Sequence, residues 1–329
     1  MKPRDRVFAA LQRERPDRVP RFEVWIDAFV DELGGGDPAA AYVRAGQDGV
    51  RMPSQSPAQS NAWRDGVDEW GRVWQDGMYA GGAVESEADL ERYSTPPAYA
   101  EAFFDPEQVA GVRARYPDHC LFYGTHVGPF TAAYMAMGFA RFFTCLVDEP
   151  AFVHRLLADR TEWCIALYQR ATQLGSELLV LGDDAGHRSG PMISPRMWRE
   201  HILPYHCRIV RALNVPVIWH SDGNVESLLA MASEAGFVGV HGLEPASGVD
   251  LNRVRRDHPD LVLVGNVDVG VLSGDDLAAV RTEVGRCIAQ GMPGTGYMIA
   301  TCNSVFRGMC YESVVEMFRS EAEMGAYPG

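Results

Sequence analysis

Short, almost uniformly apolar runs alternate along the chain with longer segments whose apolar residues recur at helical spacing. Five of these runs stop abruptly on polar residues capable of chemistry. Leu179-Val180-Leu181 leads into Gly182-Asp183-Asp184, and Val217-Ile218-Trp219 into His220-Ser221-Asp222-Gly223-Asn224. Val238-Gly239-Val240 leads into His241-Gly242-Leu243-Glu244, and Leu261-Val262-Leu263-Val264 into Gly265-Asn266-Val267-Asp268. The last is Tyr297-Met298-Ile299-Ala300, which leads into Thr301-Cys302-Asn303. Such runs read as parallel strands buried on both faces. Strand–helix alternation with right-handed crossovers gives either a closed barrel or an open doubly wound sheet. No Gly-x-Gly-x-x-Gly follows a strand and no Gly-Lys-Ser/Thr phosphate loop occurs, which argues against the nucleotide-binding sheets. The pattern predicts an α/β fold, a single (β/α)8 TIM barrel over residues 1–329. Its strands should end near Trp25, Arg51, His126, Asp184, His220, Glu244, Asp268 and Cys302.

Other elements surround this frame. Val7, Phe8 and Leu11 predict an amino-terminal helix over Arg4–Arg13, closed by Pro16-Asp17-Arg18-Val19-Pro20. Arg21-Phe22-Glu23-Val24-Trp25 then forms the first strand. Residues 34–97 contain Gly34-Gly35-Gly36 and Gly81-Gly82 and read as an insertion after the first strands. Within it Asp68–Trp74 gathers strand formers into a hairpin, and the whole excursion is long enough to lid the site. Helical pattern runs from Thr131 through Gly175 with a break near Asp148-Glu149-Pro150. Ser194-Pro195 carries an N-cap hydroxyl followed by a first-turn proline. A last amphipathic helix spans Tyr311–Met324.

Bulk properties narrow the function. The length of 329 residues suits one α/β barrel with insertions, and 47% hydrophobic with 22% charged residues suits a large core. A formal charge of −14 leaves no basic stripe for nucleic acid. No apolar stretch reaches the roughly 20 residues that span a bilayer. The seven cysteines are odd in number and scattered, as in a reducing cytoplasm, so the expected location is cytoplasmic.

In a (β/α)8 barrel the carboxyl edge of the strands is where active sites are built, so the chain reads as an enzyme. His220 and Asp222, two residues apart, share a strand face, and Cys302 arrives from the last strand. With Glu244 as a further ligand or base, they make a candidate metal set of three protein ligands and one open position. The other reading is a polar cluster that binds substrate without a metal. Asp183 and Asp184 are adjacent carboxylates, so one can enter the cavity while the other caps or buttresses. With His187 nearby they are the candidate acids and bases. Asn224, Asn266, Asp268 and Asn303 at strand ends, and Glu23 and Trp25 on the first strand, are candidate substrate contacts. His241, His201 and His206 read as structural.

Several of these motifs resemble the uroporphyrinogen decarboxylase superfamily. They are Gly182-Asp183-Asp184, Gly190-Pro191-Met192-Ile193-Ser194-Pro195, Leu203-Pro204-Tyr205, His220-Ser221-Asp222-Gly223-Asn224 and Gly265-Asn266-Val267-Asp268. Pro16-Asp17-Arg18-Val19-Pro20 and Gly128-Pro129-Phe130 are similar too. The resemblance covers nearly the whole chain, most weakly residues 34–97, and implies a barrel with a deep carboxyl-end cleft. True uroporphyrinogen decarboxylases carry an Arg-Gln-Ala-Gly-Arg segment that holds tetrapyrrole carboxylates. Here the matching region is Phe22-Glu23-Val24-Trp25-Ile26-Asp27, whose acids would repel them. The chain more closely resembles the corrinoid-dependent methyltransferases, whose zinc enzymes place a His-x-Cys at the fifth strand end and a late Cys. His220 and Cys302 match, and Asp222 stands at the middle position. The resemblance thus implies a divalent metal, zinc by preference, in a metal-dependent methyltransferase. The harder ligand set suits demethylation of a small methoxylated donor. No Asp-x-His-x-x-Gly cobalamin motif occurs, so the corrinoid would be carried by a partner protein. The alternative is a metal-free decarboxylase or lyase acting on a smaller acid.

Overall fold

The computed structural model describes residues 1–54, 65–125 and 127–327. Its strands, in chain order, are Gly49–Arg51 (β1), Gly66–Val67 (β2), Arg72–Gln75 (β3), Met78–Gly82 (β4), Cys120–Thr125 (β5) and Leu178–Gly182 (β6). They continue with Gly186–His187 (β7), Gly190–Pro191 (β8), Val217–Ser221 (β9), Gly239–Gly242 (β10), Val262–Val264 (β11) and Tyr297–Met298 (β12). Seven of them form one parallel sheet in the order β1-β5-β6-β9-β10-β11-β12. Every residue of β5, β6, β9, β10 and β11 is buried, as a sheet covered on both faces requires.

Residues 21–26 close the sheet into a barrel. Arg21 bridges Ile299 and Ile26 bridges Val305, both in parallel, while the Asp48 amide donates to the Arg21 carbonyl on the other side. The expected (β/α)8 architecture is therefore present, with the first strand held at both edges. The anticipated strand ends lie close to the observed ones. β1 stops at Arg51, β9 one residue beyond His220, and β6 and β10 two residues short of Asp184 and Glu244. β11 and β12 stop earlier, and the Val267–Thr301 bridge continues their pairing toward Asp268 and Cys302. The expected end at His126 lies outside the described residues.

Strand alternation decides which side chains reach the mouth. Trp219 points out to the helices, against Trp198 (5.8 Å), His206 (5.8 Å) and Phe237 (6.3 Å). His220 therefore points inward, and lies 4.8 Å ring to ring from both Trp25 and His241. His241 pairs in register with His220 across β9 and β10, so both imidazoles face the same side.

The same alternation splits the aspartates that follow β6. Asp183 turns into the barrel wall and is fully buried. Its oxygens accept from the Thr131 amide (2.7 Å), the Phe130 amide (3.3 Å) and His206 Nε2 (2.8 Å). One carboxylate thus caps helix Pro129–Met137 and ties in helix Leu203–Arg211. Gly128 permits this approach, since a Cβ there would fall 2.5 Å from the Asp183 Cβ. The candidate catalytic role of Asp183 is thereby corrected to a structural one.

Two expectations for the intervening segments change. The helical stretch after Thr131 breaks at Gly138 (φ +77°) as well as at Glu149, giving helices Pro129–Met137, Phe139–Asp148 and Pro150–Gln173. Gly82 packs so closely on Ala136 and Gly138 that the chain has to turn there. The expected hairpin is a three-stranded antiparallel sheet, β2-β3-β4. Asp68 anchors it by accepting from Arg72 and Trp74, and Tyr79 donates to the Met135 carbonyl, so the sheet buttresses helix Pro129–Met137. The insertion's stretch 55–64, which the lid expectation included, lies outside the described residues. No single helix among the described residues is long and apolar enough to cross a membrane.

Replacing Asp183 with Ala strands three buried donors at once. The variant should lose about 3 kcal/mol or more of stability in urea unfolding, and Asp183→Asn, which still accepts, distinctly less. A loss under about 1 kcal/mol for Asp183→Ala would remove its role as the internal cap.

Candidate active site

Two neighbouring strand ends converge at the carboxyl mouth. Asp184 follows β6, His220 is the penultimate residue of β9 and Asp222 follows that strand; their ligand-capable atoms all lie within 4.8 Å of one another. His220 Nε2 is 3.8 Å from Asp184 Oδ1 and 3.5 Å from Asp222 Oδ1. The Asp222 amide donates to Asp184 Oδ1 (3.0 Å), so backbone as well as side chain ties the two ends together. Asn303 Nδ2 lies 2.8 Å from both oxygens of Asp222. Gly223, at φ +73°, turns the chain immediately afterwards and donates its amide to Glu244 (2.9 Å).

The electrostatics of this cluster are unusual for a protein surface. Asp184 and Asp222 are 28% and 42% exposed, so they face the mouth while His220 behind them is only 6% exposed. Partial burial pushes both carboxyls above the usual carboxylate range. Asp184 is raised further by the Asp183 charge, and Asp222 by those of Asp184 and Glu244. The hydrogen bonds from the Asp222 amide and from Asn303 oppose these shifts without cancelling them. No lysine or arginine among the described residues forms an ion pair with either acid. The mouth is therefore a place where negative charge is concentrated and left for something else to neutralise.

A second layer lies beneath. His241 is fully buried, with Nδ1 2.7 Å from His220 Nδ1 and Nε2 3.1 Å from the Thr301 carbonyl; burial pushes it down to about 3. Glu23 is buried and accepts from the Thr301 amide (3.0 Å) and hydroxyl (2.5 Å). Desolvation lifts its carboxyl to about 7. Trp25 meets both imidazoles edge-on.

The structure brings Asp184, His220, Asp222 and Asn303 together and distributes the other expected site residues elsewhere. Cys302 is buried outside the trio, its thiol pushed far up by desolvation. Glu244 braces the Gly223 amide and the Ser247 hydroxyl instead of joining the cluster. His187 sits on the β7–β8 hairpin, exposed, with its Nδ1 near Ser189. Asn224 links Ser247 O to the Glu226 amide. Buried Asn266 donates to Leu243 O, and Asp268 caps helix Val269–Leu272. These three perform turn and cap duties that short polar side chains after strands commonly have. Glu23 and Trp25 support the site from below and do not line its opening. Sequence reasoning missed Tyr134, a buried phenol whose proton is held by desolvation and by the charges of Asp184, Asp183 and Asp222. It lies on a helix following β5, where no strand-end pattern marks it. His241, expected to be structural, is a buried histidine with both ring nitrogens hydrogen-bonded, one of them to His220. The in-register positions of the two histidines on neighbouring strands were the available signal.

The uroporphyrinogen decarboxylase (URO-D) family model matches residues 76–323. Among curated proteins, the chain is similar to the uroporphyrinogen decarboxylase of Xanthomonas axonopodis pv. citri (strain 306). Identity is 28% over 229 residues, 65% of this chain and 62% of that protein. The enzyme of the same name from Alkalilimnicola ehrlichii is 29% identical over 229 residues, 65% of this chain and 60% of that protein. The chain thus spans 60–62% of the length of these relatives. Among solved structures, a methyltransferase from Methanosarcina mazei shares the fold, with a TM-score of 0.78 at 20% identity over 98% of this chain and 99% of that one.

The raised carboxyls make a prediction of definite sign. A folded-state carboxyl raised above its unfolded value keeps a proton that the unfolded chain has released, so it costs stability progressively as pH rises. In chelator-treated protein, Asp222→Asn should therefore raise Tm by a few degrees at pH 8 and lose that advantage toward pH 4. A Tm difference that is the same at both pH values would contradict the electrostatic account.

Proposed function

The chain belongs to the uroporphyrinogen decarboxylase family, and from that premise we propose that it is a metal-dependent methyltransferase of the demethylase type. It takes a methyl group from a small methylated, by preference methoxylated, molecule and passes it to a corrinoid carried by a separate protein. The observation that carries this reading is the Asp184–His220–Asp222 trio at the barrel mouth.

The donor set fits a divalent cation. A tetrahedral zinc site with bonds of about 2.0–2.1 Å holds its ligand atoms roughly 3.3 Å apart. The separations from His220 Nε2 are 3.5 and 3.8 Å, and all three ligand atoms lie within 4.8 Å of one another, close to that spacing. Two acids raised by partial burial and by neighbouring carboxylates, with no lysine or arginine paired to them among the described residues, gain most from a positive charge between them. One imidazole and two carboxylates make a harder set than thiolates, which favours an oxygen over a sulfur leaving group. A cation held there would supply Lewis acidity to the heteroatom that the methyl group leaves.

The chain's own side chains would do the rest. Asn303 fixes the orientation of Asp222 through its two contacts. Asp184 and Asp222, once they neutralise a cation, have no proton to give. Tyr134 is a buried phenol held protonated by desolvation and by those same aspartates, and the proton that the departing oxygen takes up comes from solvent. Atoms balance in that scheme: ether, reduced corrinoid and one proton give alcohol and methylated corrinoid.

A lyase reading has one observation in its favour. Without a cation, the raised carboxyls keep a proton near neutral pH, and such an acid can protonate the carbon left by departing carbon dioxide.

Metal analysis and turnover decide between the two. Purified protein should carry about one divalent cation per chain. His220→Gln and Asp184→Asn should lose it, and Cys302→Ser should keep it. With reduced corrinoid and a panel of methoxy-aromatics, methylamines and thioethers, methylcobalamin absorbance should rise, fastest with an ether. Asp184→Asn should lower that rate by about 100-fold or more. Release of carbon dioxide from a small carboxylic acid, with no methylated corrinoid formed, would replace the proposal with the lyase.

A further inference from the structure

The hydrogen-bond polarity beneath the trio can be followed from a fixed end. The Thr301 carbonyl can only accept, so His241 Nε2, 3.1 Å away, carries a hydrogen. His241 is fully buried and its two ring nitrogens face a carbonyl and another imidazole, with no carboxylate in contact, so it is neutral and its Nδ1 holds a lone pair. That lone pair lies 2.7 Å from His220 Nδ1, which must then be the donor. A neutral His220 is thereby committed to the tautomer with hydrogen on Nδ1 and a lone pair on Nε2. Nε2 is the atom that faces Asp184 Oδ1 and Asp222 Oδ1.

The anchor of this chain is rigid. Thr301 is held by Glu23, whose two oxygens accept from its amide and its hydroxyl, and the Glu23 amide donates to Gln47 Oε1 (2.7 Å). Trp25, two residues along the same closing strand, lies edge-on to His220 (4.8 Å, 75°) and His241 (5.8 Å, 70°) and leaves little room for either ring to flip. A free imidazole in water populates both tautomers, so an unsupported His220 would present a hydrogen at Nε2 part of the time.

We infer that His241 is a positioning residue, which, anchored by Thr301 and Glu23, locks His220 in the Nδ1–H tautomer and keeps the Nε2 lone pair directed at the two aspartates. The functional meaning of this lock rests on reading the trio as a cation site. Ligating histidines commonly donate their second nitrogen to a carboxylate or carbonyl. Here the acceptor is a second, neutral imidazole, which orients the ligand without adding another negative charge to a mouth that already holds two acids.

The test begins with the unmodified, chelator-treated full-length chain, labelled with 15N-histidine. Long-range nitrogen–proton spectra, recorded above the pH at which His220 becomes neutral and with its signals assigned by comparison with His220→Gln, should show a protonated Nδ1 and a lone pair on Nε2. In His241→Phe, His220 should become a mixture of tautomers and Co(II) affinity, read from the metal's own absorption, should fall about 10- to 100-fold. His241→Asn, whose side-chain oxygen can take the place of Nδ1 as acceptor, should restore both in large part. A neutral His220 that carries its hydrogen on Nε2 in the unmodified protein would overturn the inference. So would a folded His241→Phe that keeps both the tautomer and the affinity. If the phenylalanine variant does not fold, the unmodified spectrum and His241→Asn still decide. If the unmodified protein binds no Co(II), the metal-dependent reading fails, while the tautomer result stands or falls separately.

Discussion

The constraint on which the site depends is the opposite orientation of two adjacent carboxylates after one strand. A β-strand sends successive side chains to opposite faces, and Asp183 uses its turn to bury a carboxylate in the barrel wall. There it collects two helix-terminal amides and His206, which fixes where helices Pro129–Met137 and Leu203–Arg211 meet the sheet. Trp219 extends the same arrangement by donating its indole hydrogen to the Asp183 carbonyl. With Asp183 committed to the wall, Asp184 has to face the mouth. The buried aspartate thus sets the direction of the one at the mouth.

From that point the mouth is governed by an imbalance of charge. Asp184 and Asp222 converge from neighbouring strand ends, with Glu244 one strand further on, and among the described residues the groups against them are the His220 imidazole, the Asp222 amide and the Asn303 side chain. Binding a proton and binding a cation are the two ways to relieve such a cluster. The two candidate chemistries of the family correspond to these two remedies. The methyl-transfer and lyase readings of the site would thus draw on the same pair of carboxylates.

Much of the fold was legible because strand periodicity is a local property. Apolar runs at β6, β9, β10, β11 and β12 marked the barrel, and Tyr311–Met324 was located to the residue as a helix. The first strand was legible too, although only isolated bridges and backbone bonds hold residues 21–26 in place. The break at Gly138 was not, because it answers to the close approach of Gly82, more than fifty residues away in sequence. The site followed the same division. His220 and Asp222 share a strand end, so their partnership could be read, whereas the choice of Asp184 over Cys302 as third member depends on how neighbouring strand ends lean. Cys302 matched a family pattern by position, yet its thiol is desolvated away from the trio. Asn224, Asn266 and Asp268 illustrate a different ambiguity. Short polar residues after a strand serve turns and caps as readily as ligands, and here the backbone claims all three.

The depth of the site then explains why the closing strand carries Glu23 and Trp25. A barrel must bury whatever side chains its first strand turns inward, and a carboxylate there is costly unless it is fully used. Glu23 is used twice by Thr301, whose carbonyl then has no freedom to move and gives His241 a fixed acceptor. The Glu23–Thr301 hydrogen bonds thus join the closing strand to the imidazoles at the mouth. A change that loosens residues 21–26 reaches His220 through Thr301 and His241, without touching any residue that faces the substrate.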